Sequence, residues 1–398
     1  MNVIIFEDNN VNNLKPFSIN HASFEMKTGI YSNLERILNH IMLGFDQDIN
    51  IYLIVRNELK DIIQEKFPKY IVNPEIIPEG IYFNGAAIWN WDHLENASKG
   101  YAFSSSGNLI AFKYNKNIPY NEFSQLVNDI SKVTSDIDVK YISYIWDCLE
   151  IEELYNDYLD CLKKDYQSKE QYNFDESIVR IGNEFALSPK CKIESGCILD
   201  SSKGPIVINN GTLIEAGAIV KGPIFIDKNS IVKSGSKLNG NIIIGPKCKV
   251  GGEVSSTIFH GFSNKVHDGF IGNCYIGEWV NLGANTNNSN LRNNYSKVKF
   301  IFSDKVIETN KLFLGAMIGD YTRTGISTMI NTGSYFGLGA NIFGSGFQNK
   351  YISSFAWGKD EVVDFNKFIS TIKIIKDRRK EKLSDSELIF LQNLYKNK

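Results

Sequence analysis

A six-residue repeat of aliphatic side chains runs through the second half of the chain. Eight consecutive positions at this spacing, over Ile208–Val250, are isoleucine, leucine or valine. A shorter run over Ile181–Leu199 and an equally long run over Phe300–Ile342 follow the same period, and in the second of these only Thr324 is not hydrophobic. A period of six fits neither an amphipathic helix nor an alternating strand. It indicates a three-faced prism of stacked coils, a left-handed parallel β-helix with one inward aliphatic side chain per face.

The first part of the chain has a different pattern. Two short apolar runs, Val3–Phe6 and Ile51–Val55, are typical of buried parallel strands, and the helical pattern of Gly29–Leu43 lies between them. The segment 120–170 is predicted to be mainly helical, and the chain becomes charged and helical again after Trp357. We therefore expect four regions: an α/β domain (1–118), a helical linker region (119–177), the β-helix (178–357) and a short α-helical tail (358–398).

Composition narrows the class of protein. The net charge of −2 leaves no basic surface of the kind that binds nucleic acid. The apolar runs are shorter than the roughly 20 residues that a membrane span needs, and the N-terminus lacks the basic start of a signal peptide. The six cysteines do not have zinc-ligand spacing. We predict a cytoplasmic protein without a bound metal, and without nucleic-acid or membrane partners.

The regular repeat is interrupted between Val250 and Phe300. This stretch holds the two histidines of the repeat half, His260 and His267, and is dense in asparagine, lysine and aspartate. The most polar part, Asn285–Asn294, is predicted to project outward as a loop. Loops held on a rigid scaffold are where function concentrates, so we expect the chemistry of the chain to lie in this interruption.

Transfer of an acyl group from a thioester to an amine requires few groups. A base with a pKa near neutrality removes the proton of the attacking amine, and histidine is the usual one. A donor such as an asparagine amide stabilises the developing oxyanion, and a carboxylate can orient the base. His267, Asn281 and Glu253 supply these three groups. A purely structural role for a single histidine fits the composition equally well.

The same residues carry a family resemblance. His267 precedes Asn281 of the Val280–Ala284 segment by fourteen residues, and Glu253 lies upstream, as in the acetyltransferase domain of the bifunctional GlmU enzymes. The chain resembles still more closely a GlmU-like group known from Bacteroidetes. Phe270 and Ser255 depart from the tyrosine and lysine of the GlmU pattern. Four blocks carry the closer likeness: Ser263–Phe270, Gly277–Ala284, Ser289–Tyr295 and Asn341–Phe347.

The resemblance implies an N-acyltransferase that uses an acyl-coenzyme A such as acetyl-CoA. Its acceptor would be an amino-sugar phosphate or a nucleotide-linked amino sugar, with His267 as the general base. It also implies a homotrimer with active sites between subunits. The expected acceptor-binding residues are Asn264, Lys265, Asp268, Asn290, Arg292 and Lys297. The expected coenzyme A contacts are Gly283, Ala284, Ala316, Arg323 and Ser334.

The N-terminal domain (1–118) resembles a nucleotidyltransferase domain in reduced form, because it lacks parts that those enzymes use. The first strand leads into Phe6–Asn10 without the glycines that cradle a triphosphate. Asn84 stands where the Mg²⁺-binding aspartate is expected, although Mg²⁺ prefers carboxylate oxygens. We therefore expect a domain that binds a sugar nucleotide or supports assembly. If it is active, Asp8 and Lys27 are the predicted nucleotide-site residues, and only then is Mg²⁺ required.

Other functions remain open on the sequence alone. One alternative is a sugar-1-phosphate nucleotidyltransferase forming UDP- or dTDP-sugars, with the β-helix as a trimerisation platform. Another is a non-catalytic sugar-nucleotide-binding protein. A β-helix metalloenzyme of the carbonic-anhydrase kind needs three histidines per site, and the repeat half has two. Thiol release from acetyl-CoA separates the acyltransferase from the others.

Overall fold

The computed structural model describes residues 1–44, 48–99, 101–132, 134–164, 166–168, 170–302 and 305–398. It divides into two compact units: Met1–Lys27, Tyr31–Asp147 and Leu383–Asn397 form the first, whereas Thr28–Ile30, Cys148–Lys382 and Lys398 form the second. None of the helices in the described part of the chain is long and apolar enough to cross a membrane. The helices are α1 (Asn33–Gly44), α2 (Lys60–Lys66), α3 (Trp91–Lys99), α4 (Phe123–Ile130), α5 (Leu154–Leu162), α6 (Phe365–Asp377) and α7 (Asp385–Lys396).

The first unit is built on a mixed seven-stranded sheet. Its strand order is β3 (Ile71–Val72), β2 (Asn50–Ile54), β1 (Asn2–Phe6), β5 (Gly80–Asn84), β7 (Asn108–Tyr114), β6 (Ala102–Ser105) and β9 (Ser135–Asp136). Strand β1 is apolar and almost wholly buried, and both of its neighbours, β2 and β5, run parallel to it. Later strands are therefore added on both sides of β1. Such a reversal of strand order is a topological switch point, where α/β sheets commonly bind ligands. The strands of this unit are β1 (Asn2–Phe6), β2 (Asn50–Ile54), β3 (Ile71–Val72), β4 (Ile76–Ile77), β5 (Gly80–Asn84), β6 (Ala102–Ser105), β7 (Asn108–Tyr114), β8 (Ile118–Pro119) and β9 (Ser135–Asp136).

The second unit is a parallel β-helix followed by α6, as the six-residue repeat predicted. Its strands are β10 (Val179–Ile181), β11 (Phe185–Leu187), β12 (Lys192–Ile193), β13 (Ile198–Asp200), β14 (Ile206–Ile208), β15 (Leu213–Ile214), β16 (Ile219–Lys221), β17 (Ile224–Ile226), β18 (Ile231–Val232), β19 (Lys237–Asn239), β20 (Ile242–Ile244), β21 (Lys249–Val250), β22 (Glu253–Ser255), β23 (Ile258–Gly261), β24 (Asn264–Lys265), β25 (Phe270–Gly272), β26 (Tyr275–Glu278), β27 (Asn287–Asn288), β28 (Lys299–Phe302), β29 (Lys305–Glu308), β30 (Ala316–Ile318), β31 (Arg323–Thr324), β32 (Met329–Ile330), β33 (Ser334–Phe336), β34 (Asn341–Ile342), β35 (Tyr351–Ile352), β36 (Ala356–Trp357) and β37 (Glu361–Val362).

Three parallel sheets form the faces of the prism, and each places one column of side chains inside. On the longest sheet Ile208, Ile226 and Ile244 lie in register at intervals of eighteen residues, which is one coil of three faces. All three are fully buried. Each coil packs only on its neighbours, so the aliphatic column is continuous through the unit. The fold is the α/β unit plus β-helix with a short helical tail that the sequence indicated.

The predicted repeat is out of phase at two places. Ile181 is 44% exposed, because Arg180 occupies its strand's register position beside inward-facing Leu199. Val306 is 60% exposed, because β28 and β29 pair as an antiparallel hairpin outside the prism. At both places the six-residue spacing continues by chance where the coil begins or is interrupted. The inclusion of these two residues in the inward columns was therefore wrong.

The projecting segment also has different limits from the predicted loop. Asn287 and Asn288 still belong to the prism, since they pair with Met329 and Ile330 of β32. The chain returns to the coil at Leu314, whose backbone N–H donates to Asn290 O at 2.8 Å. Asn285–Asn288 are therefore coil, and the excursion extends well beyond the predicted end at Asn294.

Helix α6 packs on one edge of the β-helix. Successive coils place Phe262, Trp279 and Tyr321 at this edge, all with positive φ, and the first two rings stack with centroids 4.3 Å apart. Lys376 of α6 lies with its Nζ 5.1 Å from the centre of the Trp279 ring. The cation–π contact and the buried aromatic area hold the end of α6 against the coils.

Candidate active site

The interior columns contain polar side chains near the interruption of the repeat. Lys265, Asn288 and Thr324 take inward positions that are aliphatic in the regular coils. Buried polar groups need hydrogen-bond partners, and these have them. Thr324 Oγ1 lies 2.8 Å from Thr286 Oγ1, and Asn288 Oδ1 accepts from the Gly272 N–H at 2.7 Å. The coils here are therefore shaped by specific hydrogen bonds as well as by apolar packing.

Lys265 has a position that differs from the predicted one. Its register partner is Val250, so its side chain lies in the aliphatic column and is fully buried. The ammonium donates to the carbonyl of His267 and to Gly251 O at 3.3 Å. Burial lowers the pKa of Lys265 to about 8, against the attraction of Asp268, which raises it. The Lys265 ammonium therefore lies inside the prism, away from any acceptor substrate, and is hydrogen-bonded to the backbone of His267 instead.

His267 is exposed at a corner of the prism, two residues after Lys265, with which β24 ends. In the described part of the chain its imidazole makes no hydrogen bond or ion pair, so both ring nitrogens are available to a ligand. His260 has the opposite environment: it is buried, and its Nδ1 lies 3.1 Å from Glu278 Oε1. Of the two histidines, only His267 is placed to meet a substrate.

The two predicted partners of His267 lie on the neighbouring coils. Asn281 is exposed on the next coil, where its Oδ1 accepts from Asn264 Nδ2 at 3.5 Å. Glu253 is exposed on the preceding coil, with Asn239 Nδ2 at 3.4 Å from its Oε1. Among the described residues no hydrogen bond joins Glu253 to His267. The three side chains thus share one region of the prism, but a single chain does not form the carboxylate–imidazole contact.

The remaining acceptor-binding candidates surround this corner unevenly. Asp268 is exposed directly after the histidine. Asn290 Nδ2 donates to Asn273 Oδ1 at 2.8 Å, which ties the start of the projecting segment to the coil. Arg292 Nη1 donates to Lys297 O at 3.3 Å, so this guanidinium braces the projecting segment, whereas the Lys297 side chain is exposed.

The predicted coenzyme A contacts fall into two groups. Gly283, Ala284 and Arg323 are partly exposed on the outside of the later coils. Ala316 and Ser334 are register partners on one sheet and are fully buried. Both side chains point into the prism, whose interior is filled and closed to a ligand. They therefore cannot contact coenzyme A. The spacing alone did not show which side of the strand they face.

In the first unit, Asp8 is held by a polar network at the end of β1. Its Oδ2 accepts from Asn84 Nδ2 and from the Tyr141 hydroxyl, both at 2.7 Å, and its Oδ1 accepts from the Asn10 N–H at 2.9 Å. Mg²⁺ needs carboxylate oxygens that are free to coordinate, and here an amide nitrogen faces the carboxylate instead. These residues do not fit a magnesium site.

A cleft of about 450 Å³ opens at the carboxyl ends of β1 and β2, and Asp8 lies in its wall. Glu7 and Arg56 line it as well: Glu7 accepts from the Ser23 N–H at 2.8 Å and lies 3.5 Å from Arg56 Nη1. Burial raises the pKa of Glu7 despite this positive neighbour. Lys27 is buried and is not part of the cleft wall. The sequence reasoning missed Arg56, which only the parallel pairing of β1 and β2 brings to this edge.

An α/β unit with a cleft at its strand ends, followed by a β-helix with an exposed histidine, agrees with the two-domain enzyme that the motif resemblance implies. Residues 3–164 match the family model described as sugar nucleotidyl transferase. A bifunctional sugar-1-phosphate nucleotidylyltransferase/acetyltransferase of Sulfurisphaera tokodaii is 36% identical over 150 residues. The aligned part is 37% of this chain and 37% of the relative. These matches agree with the predicted resemblance to GlmU-like enzymes.

Proposed function

We propose that this protein is an acyl-coenzyme A-dependent N-acyltransferase acting on an amino-sugar phosphate or a nucleotide-linked amino sugar. The observation that carries the proposal is His267, an exposed imidazole without an internal partner among the described residues, whose backbone carbonyl is bonded by the buried Lys265 ammonium. Such an arrangement leaves the ring free for a substrate and anchors the backbone that carries it. The acetyltransferase named in the Sulfurisphaera relative supports the same reaction class.

The proposed reaction balances with few groups. The acceptor amine attacks the thioester carbonyl, a C–N bond forms, and His267 takes the proton that the amine loses. The oxyanion of the tetrahedral intermediate is stabilised by the Asn281 side chain. When the C–S bond breaks, the thiolate of coenzyme A leaves and receives that proton. Glu253 would orient the imidazole once ligand or a neighbouring subunit closes the site.

The ligand assignments follow the exposed surfaces. Asn264, Asp268, Asn290, Arg292 and Lys297 are proposed for the acceptor, and Gly283, Ala284 and Arg323 for the acyl-coenzyme A. Lys265 is proposed as a support for His267, because its ammonium lies inside the prism. The protein is proposed to work in the cytoplasm.

A direct assay tests this function. Purified protein is mixed with acetyl-CoA and a panel of amino-sugar 1-phosphates and nucleotide-linked amino sugars, and free thiol and acylated product are measured together. We expect thiol release that requires one acceptor and gives a product heavier by one acetyl group. A second arm replaces acetyl-CoA with nucleoside triphosphate, Mg²⁺ and sugar 1-phosphates. Pyrophosphate release in the second arm without turnover in the first would overturn the acyltransferase in favour of a nucleotidyltransferase.

The first unit is proposed to bind a sugar nucleotide without transferring a nucleotidyl group. Its cleft lies at the switch point beside β1, where a nucleotide would be expected. The Asp8 carboxylate already accepts hydrogen bonds from Asn84 and Tyr141, so it is not free to coordinate Mg²⁺. The cleft itself is large enough to hold a ligand. Nucleotidyl transfer remains the second candidate, since the matched family and relative carry that name.

We further propose a homotrimer, with the late coils at the subunit contacts. Ile326, Met329 and Phe347 are exposed by 79%, 39% and 60%, and Met329 bridges to Phe347 on the same face. Apolar groups gathered on one face commonly mark a protein contact. Light scattering after gel filtration is expected to give three times the chain mass. The pair Ile326→Glu and Phe347→Glu should give the single-chain mass, whereas Ile181→Glu on the first coil should not. A monomeric native chain would contradict this assembly.

A further inference from the structure

A second cleft lies in the second unit, between the β-helix and the end of α6. It has a volume of about 280 Å³. Strands β21 and β24 supply one wall, and the last turn of α6 with the residues after it supplies the other. The lining residues are Lys249, Asn264, Val266, Ile375, Arg378 and Arg379.

The charge of this cleft has one sign. Three of the six lining residues are cationic and none is a carboxylate. The nearby acids have other partners: Glu381 forms an ion pair with Lys247, and Glu215 forms one with Lys233. The hydrogen bond from Lys233 is the main reason that the pKa of Glu215 is lowered. In the described part of the chain, the side chains of Lys249 and Arg378 make no hydrogen bond or ion pair.

Arg379 is fixed in the cleft wall before any ligand arrives. Its Nη1 donates to Lys247 O and its Nη2 to Asn264 Oδ1, both at 2.7 Å. Burial lowers the pKa of Arg379, and the neighbouring Arg378 adds to this effect against Cys248, which raises it. Cations at a helix C-terminus often serve only to offset the helix dipole. That explanation does not cover Lys249, which a β-strand brings to the same cleft.

The cleft adjoins the proposed catalytic corner. Asn264 and Val266 flank Lys265, the residue whose ammonium bonds to the His267 carbonyl. Asn264 also donates to Asn281 Oδ1 at 3.5 Å, so the wall of the cleft is connected to the proposed oxyanion donor. A ligand anchored here would need only a short reach to the histidine.

We propose that this cleft binds a phosphoryl group of one of the two substrates used at His267. The proposal rests on the proposed function. The shared chemistry is a phosphate monoester or diphosphate, held by charge-assisted hydrogen bonds from Lys249, Arg378 and Arg379. The phosphate belongs either to the acyl-coenzyme A or to the phosphorylated amino sugar, and the experiment distinguishes these sources.

The test uses the full chain and a double variant, Lys249→Gln with Arg378→Gln, which leaves the structural Arg379 in place. Calorimetric titration at low salt compares coenzyme A, 3′-dephospho-coenzyme A, glucosamine 1-phosphate and inorganic pyrophosphate. Hydrogen bonds to charged groups contribute enough that the affinity for one substrate should fall about 10–100-fold. The matched control replaces Lys367 and Lys373, which are exposed on α6 and do not line the cleft, with glutamine.

Each result decides one point. A loss confined to coenzyme A assigns the cleft to the acyl donor, and a loss confined to glucosamine 1-phosphate assigns it to the acceptor. Unchanged affinities for all four ligands would overturn the cleft proposal, even if acetyl-CoA turnover is observed. Binding of pyrophosphate that the double variant loses, in a protein that turns over no acceptor, would support the anion site while the acyltransferase fails.

Discussion

Replacing His267 with alanine is expected to lower kcat by about 10²–10⁴-fold, the usual loss when a general base is removed. The imidazole is exposed and forms no hydrogen bond or ion pair with the described part of the chain. Its loss should therefore leave the fold and the melting temperature nearly unchanged. Steady-state thiol release at saturating acetyl-CoA and acceptor measures kcat, and a thermal melt measures the fold.

A matched histidine gives the control for this experiment. His260 is buried beside Glu278, and its replacement by asparagine should lower the melting temperature without lowering kcat per folded molecule. A lower kcat for His267→Ala together with an unchanged kcat for His260→Asn would show that activity requires the exposed histidine at the corner and not the buried one. Wild-type turnover in His267→Ala would contradict the proposed mechanism.

Replacing Lys265 with methionine is expected to change how stability depends on pH. Burial lowers the pKa of Lys265 from its usual value of 10.5 to about 8. Between these values the unfolded chain binds more protons than the folded chain, so the free energy of unfolding of the native protein rises with pH. The burial cost of the charged form is present below about pH 8 and is lost as the pH approaches 10.5. The full change is on the order of 3 kcal/mol.

The measurement is urea unfolding of native and Lys265→Met proteins between pH 7 and pH 10.5. Methionine has a similar volume and cannot titrate, and every other ionisable group is common to both proteins. The difference in unfolding free energy, native minus variant, should therefore increase with pH over this range. Parallel curves would show that the ammonium of Lys265 is not buried as the structure places it.

Much of the fold could be predicted because the β-helix is a local pattern. Each face requires one inward aliphatic side chain, so the period alone defines the successive coils over Ile208–Val250. The failures occurred where the same spacing continued outside the stack, at Ile181 and Val306. Exposure there depends on whether a neighbouring coil exists to cover the strand, and spacing carries no information on that.

The candidate site was predictable in its residue types and less so in its geometry. The fourteen residues from His267 to Asn281 follow the motif, and both side chains are exposed on adjacent coils. Lys265 and Ala316 were expected to face ligands, yet their strands turn them into the prism. Successive residues of a strand face opposite sides of the sheet. Val250 and Lys265 are register partners only fifteen residues apart, instead of the regular eighteen, and this shorter coil places Lys265 in the inward position.

The sequence by itself therefore determined the architecture, because the hydrophobic period is a property of neighbouring residues, and the motif spacing indicated the resemblance to GlmU-like enzymes. The tertiary structure alone decided that Lys265 supports His267 from inside the coil. It alone brought Lys249 beside Arg378 and Arg379 across more than a hundred residues. Such contacts depend on how distant segments pack against each other. The free energy of that packing is distributed over the whole unit, so no pattern of neighbouring residues predicts it.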